Sequence, residues 1–149
     1  MRIRKILCPV DFSEASGDAA RYARDLAEHY GAQVVVIHVI YDIQADTGWY
    51  SLSVDTVELY RDMERAAREE FERFKKQYFE GFQDVQYVQL RGTPDEEIVN
   101  WAAHNGADLI VMGTHGRKGL DRVLFGSTAS KVVRYAPCPV MTVRAPSGS

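Results

Sequence analysis

Apolar, β-branched runs alternate with longer amphipathic stretches from one end of the chain to the other, and that alternation demands an α/β domain built on a mainly parallel sheet. Ile3 to Val10 reads as the first strand. Ser13 is placed to cap the helix that follows, where Ala15, Ala19, Tyr22, Ala23, Leu26 and Ala27 recur at helical spacing until Gly31 ends the pattern. Gln33 to Ile40 is almost continuously apolar, as expected of a strand covered on both faces. Residues 41–55, with Gly48, Trp49 and Tyr50, form a longer connection, either a functional loop or a plain surface flap.

Glu58 to Gln77 reads as a charged helix. Tyr60, Met63, Ala67, Phe71, Phe74 and Tyr78 step by three and four, while Glu64/Arg68, Glu69/Arg73 and Glu72/Lys76 stand at ion-pair spacing. The stripe suits core packing, with a groove for a partner helix as the alternative. Val85 to Arg91 alternates like a strand. In Gly92-Thr93-Pro94-Asp95-Glu96, Thr93 and Glu96 have the spacing of a capping box and Pro94 suits the first helical position. A helix from Ile98 to His104 stops near Gly106, and Asp108 to Met112 reads as a short buried strand ending at Gly113. After a glycine-rich segment to Gly126 come a helix from about Ser127 to Tyr135 and a last strand from Pro139 to Val143. No linker or repeat interrupts the chain, so residues 1–144 are expected to form one domain, with 145–149 a frayed tail.

Composition narrows the function classes. Eighteen Lys and Arg against 21 Asp and Glu leave a formal charge of −3, which offers no positive field for nucleic acid. Apolar runs such as Val34-Val35-Val36-Ile37 are far too short to span a membrane. The N-terminus lacks a secretion signal's hydrophobic segment, and the expectation is a cytoplasmic protein. Cys8 and Cys138 do not make a disulfide framework, and His29, His38, His104 and His115 show no metal-ligand spacing.

Gly113 to Thr128 follows the fourth strand directly, and open α/β sheets bind ligands beyond the carboxyl ends of their strands. Gly113, Gly116 and Gly126 would let main-chain amides approach a ligand, and Gly126-Ser127-Thr128 opens a helix whose N–H groups and dipole favour an anion such as phosphate. A glycine loop that merely turns the chain is the competing reading. Neither a G-x-x-x-x-G-K-[ST] loop nor a G-x-G-x-x-G after the first strand is present, which argues against P-loop and dinucleotide-binding sites. Arg117, Lys118 and Arg122 could neutralise phosphate or simply form a solvated basic loop. His115 reads as a loop histidine rather than a base. Ser127, outside any G-x-S-x-G elbow, reads as a phosphate contact rather than a nucleophile.

The spacing Gly113-x2-Gly116-x9-Gly126-Ser127 resembles the G-x2-G-x9-G-[ST] signature of the universal stress protein family, in its ATP-binding branch. Pro9-Val10-Asp11-Phe12-Ser13 resembles that family's P-x-D-x-S end of the first strand. His38-Val39, Gly92-Thr93-Pro94 and Pro137-Cys138-Pro139-Val140 resemble later stations in the same order. The resemblance implies a Rossmann-like open five-stranded parallel sheet, order 3-2-1-4-5, with helices on both faces. It implies that Pro9, Val10 and Asp11 edge the adenine and ribose, that Val39 packs on the base, and that Met112 and Gly113 line the nucleoside. Gly116, Gly126, Ser127 and Thr128 would take the phosphates. Asp11 could equally be a cap of the first helix. The implied ligand is ATP or AMP, possibly with magnesium on a triphosphate. The implied role is a stress-response or regulatory protein that changes conformation or partner on binding, with an unidentified protein partner and a homodimer paired through the last strand. A slow ATPase or phosphotransferase, and a nucleotide-independent interaction protein of the same family, are the alternatives. No catalytic residue and no metal ligand is expected.

Overall fold

A computed structural model describes residues 2–42, 54–114 and 126–144. In chain order they form β1 (Lys5–Pro9), α1 (Glu14–Tyr30), β2 (Gln33–Tyr41), α2 (Val54–Tyr78), β3 (Val85–Gly92), α3 (Pro94–Asn105), β4 (Leu109–Gly113), α4 (Ser127–Tyr135) and β5 (Val140–Val143). The five strands make one parallel sheet in the order β3-β2-β1-β4-β5. This is the order the family resemblance implies. The chain starts at the centre, runs outward through β2 to β3, and then crosses back to β4, so the reversal falls between β1 and β4.

Successive strand side chains point to opposite faces, and the apolar run of β1 therefore feeds two cores. Ile6 and Cys8 join Val34 and Val36 of β2 beneath the alanines of α1 and Phe71 and Phe74 of α2. Leu7 joins Val35 and Ile37 against Ile98 and Ala102 of α3 and Val132 of α4. Each such aliphatic side chain, taken wholly from water, contributes about 1.5–3 kcal/mol. Helices thus cover both faces, which is why β1 and β2 read as unbroken apolar runs. Among the described residues no helix is long and apolar enough to cross a membrane.

Local signals set the helix ends. The Ser13 hydroxyl accepts the Ser16 N–H (3.3 Å), and α1 closes on Gly31 in the left-handed conformation. Other expectations are corrected. Tyr22 is half exposed, because α1 lies on the sheet through small residues, Ala15, Ser16, Gly17, Ala19, Ala20, Ala23 and Ala27, which leave no room for a ring at that margin. Met63 also points outward, while Tyr60, Ala67, Phe71 and Phe74 are buried as core packing. The ion pairs among the described residues are Asp18–Arg21, Arg24–Glu28 and Asp42–Arg91, so none of the three pairs expected along α2 closes within 4.0 Å. Exposed pairs of this kind gain too little to freeze two long side chains.

At α3 the Thr93 side chain makes no capping bond, so the predicted capping box is absent. Pro94 removes one first-turn donor, Asp95, Glu96 and Glu97 answer the dipole, and the Glu97 N–H bonds the Thr93 carbonyl (3.0 Å). Asp108 precedes β4 instead of opening it. Its carboxylate accepts the backbone N–H groups of Arg4 (2.9 Å) and Lys5 (3.0 Å), tying the entry of β1 to that of β4. Both cysteines are free thiols.

Candidate functional site

The carboxyl ends of β1 and β4 part at the sheet's reversal, where two corners face each other. At the first, the Val10 N–H donates to the Ile37 carbonyl (2.9 Å) and the chain then turns into α1. Asp11 Oδ1 accepts the Ser13 N–H (3.0 Å) and the Ser16 hydroxyl (2.7 Å), while the Asp11 N–H donates to Ser16 Oγ (2.9 Å). Between them Phe12 sits at φ +63°, a left-handed conformation that costs a bulky residue on the order of 1–3 kcal/mol. Its ring is held between His38 (centroids 4.9 Å apart) and Phe74 (5.7 Å). Packing on one side and hydrogen bonds on the other fix this corner.

At the second corner, Gly113 ends β4 so close to α1 that a Cβ there would stand 3.0 Å from Ala15 Cβ and 3.1 Å from the Ala15 carbonyl oxygen. The Thr114 N–H donates to the Val143 carbonyl (3.1 Å), and the Gly126 N–H donates to the Thr114 carbonyl (2.6 Å). The Gly126 amide is therefore hydrogen-bonded inside the protein. The first bond of α4 runs from the Ser130 N–H to the Gly126 carbonyl (3.0 Å). This leaves the N–H groups of Ser127, Thr128 and Ala129 in the first turn without a partner among the described residues, at the positive end of the helix dipole.

Between the corners lies a cavity of about 570 Å³, within the range of small-molecule sites. Val10, Ile37, Val39, Ile98 and Met112 supply an apolar wall; Asp11, Ser16, Thr114, Ser127 and Thr128 supply polar groups. Of the residues expected at the site, Pro9, Val10, Asp11, Val39, Met112, Gly113, Gly126, Ser127 and Thr128 all line it. Gly116 lies outside the described residues, as do His115, Arg117, Lys118, Arg122, positions 43–53 of the long connection and the tail. Asp11 braces the entry of α1 and also lines the cavity.

Sequence reasoning missed Ser16, Tyr41, Pro94, Ile98 and Thr114 on the cavity wall. Pro94 carried a usable signal, because a helix start just beyond the end of a parallel strand lies on the ligand-binding side. Ser16 carried none, being one serine on a helix face of alanines. Among the described residues no three His, Cys, Asp or Glu side chains gather to hold a metal ion.

The model of the universal stress protein family matches residues 2–144. The chain belongs to this family. Universal stress protein MJ0531 of Methanocaldococcus jannaschii is 36% identical over 148 residues, covering 96% of this chain and 83% of that protein. Among solved structures, protein MJ0577 of the same organism superposes with a TM-score of 0.85 at 28% identity, over 99% of this chain and all of the other. A more distant universal stress protein from Archaeoglobus fulgidus, solved in complex with dAMP, shares the fold with a TM-score of 0.64 at 22% identity, over 94% of this chain and 96% of that one.

Proposed function

We propose that this universal stress protein binds an adenine nucleotide, ATP or AMP, between the β1–α1 corner and the start of α4, and acts as a stress-response or regulatory protein by changing conformation or partner on binding. The observation that carries this reading is one cavity combining an apolar wall with the three amides of Ser127, Thr128 and Ala129, which have no partner among the described residues. A purine needs a flat apolar slot with few polar edges, and phosphate needs N–H donors in a positive field. In this arrangement Val39 and Met112 pack on the base and nucleoside, Pro9, Val10, Asp11 and Gly113 edge the base and ribose, and Ser127 and Thr128 meet the phosphates. Gly126 shapes the approach by lacking a side chain, and Gly116 joins the phosphate contacts by family resemblance. The dAMP held by the Archaeoglobus fulgidus protein is a ligand of the same chemical class.

Titration calorimetry on nucleotide-stripped protein tests the reading. ATP or AMP gives a saturable heat, which Gly126→Val abolishes while the far-UV circular dichroism stays unchanged. No heat with either nucleotide up to millimolar concentration overturns it.

A homodimer paired through β5 belongs to the same proposal, as does a cytoplasmic location. β5 is an outer strand with β4 on one side, and Val140, Met141 and Thr142 are half-buried. An apolar edge of this kind is a ready template for a second strand. Light scattering at micromolar protein is expected to give twice the chain mass; a monomer mass removes the dimer from the proposal.

A further inference from the structure

Ser16 is one of two polar residues buried among the described ones, at 5% exposure, and it faces the cavity. A serine hydroxyl has one proton, and here it goes to Asp11 Oδ1 at 2.7 Å. The same oxygen accepts the Asp11 backbone N–H at 2.9 Å. Main chain and carboxylate of Asp11 are thus clamped to one atom, and the Ser13 N–H adds a third bond at 3.0 Å. With its proton committed, Ser16 has nothing to donate to a ligand; what it controls is where the Asp11 carboxylate points.

We propose that Ser16 is the positioning residue that makes this cleft selective for ligands carrying a hydrogen-bond donor beside the end of β1, by holding the Asp11 carboxylate in one orientation. The inference rests on the nucleotide reading above and names the device behind its selectivity. An ionised carboxylate accepts and does not donate, so it rewards a ribose hydroxyl or an exocyclic amino group and penalises a ligand without one. The reward requires an aimed acceptor. Without the Ser16 hydroxyl, Asp11 loses two of these three bonds, and with them the contacts that tie its carboxylate and its main chain to one atom.

The probes are AMP, 2′,3′-dideoxyAMP, which lacks the ribose hydroxyls, and purine riboside 5′-monophosphate, which lacks the amino group. Calorimetry on the full-length wild-type protein is expected to show about tenfold weaker binding of at least one analogue, the size of one hydrogen bond to a charged group. Ser16→Ala weakens AMP about tenfold and leaves that analogue within twofold, so the discrimination collapses; Ser16→Thr, which keeps the hydroxyl, restores it. Should Ser16→Ala not fold, as judged by its thermal melt, Ser16→Cys takes its place with the same expectation, since a thiol is a poor donor. Equal weakening of all three ligands would show a merely structural serine and overturn the inference, as would unchanged AMP affinity or a wild type that fails to discriminate. A wild type that binds no AMP removes the nucleotide reading itself, and this inference with it.

Discussion

Gly17 and Tyr78 give the sharpest test of how α1 meets α2. A Cβ built on Gly17 would lie 2.1 Å from the Tyr78 hydroxyl oxygen and 2.4 Å from Cζ, so Gly17→Ala forces the phenol to move by more than an ångström. That ring is engaged elsewhere: the Arg21 guanidinium lies 5.1 Å from its centroid, and the Phe74 ring 4.7 Å away. Displacing it forfeits about 0.5–1 kcal/mol of cation–π attraction and about 0.5–1.5 kcal/mol of aromatic contact, within the usual overpacking cost of about 1–3 kcal/mol. Against this, alanine is better than glycine inside a helix by about 1 kcal/mol. Gly17→Ala alone should therefore destabilise by about 1 kcal/mol. In a Tyr78→Ala background the clash is gone, and the same substitution should stabilise by about 1 kcal/mol, a reversal of sign and a coupling of about 2 kcal/mol. Urea unfolding of the four proteins reads this out, at one fixed concentration because pairing through β5 would make stability depend on it. Melting temperatures should move by about 2–4 °C per kcal/mol. A coupling under about 0.5 kcal/mol, or a Gly17→Ala protein more stable than wild type, refutes the reasoning.

Gly113→Val drives a branched side chain into Ala15, where even a methyl would stand 3.0 Å from Ala15 Cβ; urea unfolding should show a loss of about 1–3 kcal/mol, and an unchanged midpoint contradicts the contact. Ser13→Ala removes the acceptor of the Ser16 N–H and should cost about 1 kcal/mol in the same assay, whereas a neutral result would mean that the cap contributes nothing. Burial pushes the Cys8 thiol from 9.0 up to about 12, so above pH 9 the unfolded chain ionises there while the folded one does not. The stability is complete below pH 9 and falls as pH rises toward 12, by on the order of 4 kcal/mol. A Cys8→Ala protein should lose less over that window, and a slope identical to wild type would sink the assignment. In native protein at pH 8 a thiol reagent should titrate Cys138, which is half-buried, and reach Cys8 only after unfolding.

The alternation of apolar runs and amphipathic stretches located all five strands and all four helices that the described residues contain: β1 and β2, covered on both faces, have no polar side to blur them, and β3 at the sheet's edge shows itself by alternation instead. Boundaries slipped where a terminal residue had another use. Asp108 stands beside Leu109 in the apolar run, but a carboxylate that bridges the N–H groups of Arg4 and Lys5 works from outside the strand. The Thr93 capping box failed similarly: spacing specified the residue types, while the side-chain direction depended on contacts made after the chain had folded. The strand order came from family resemblance, since periodicity along a strand carries no information about its neighbour.

At the site, the glycine spacing was the legible signal: its described positions, Gly113 and Gly126, both line the cavity. The Gly126 N–H closes a 2.6 Å bond to the Thr114 carbonyl, and the Thr114 N–H is itself bonded to the Val143 carbonyl. These two bonds join the end of β4, the end of β5 and the start of α4 into one piece. An anion site needs its donors fixed before the ligand arrives, because a helix terminus free to fray spreads its partial charge over many positions. Gly126 thus ties the start of α4 to β4, and the amides of Ser127, Thr128 and Ala129 that follow it gain a fixed direction at the positive end of the helix dipole. Across the cleft the Ser16 hydroxyl donates to Asp11 Oδ1, which fixes the other corner of the cavity that both residues line.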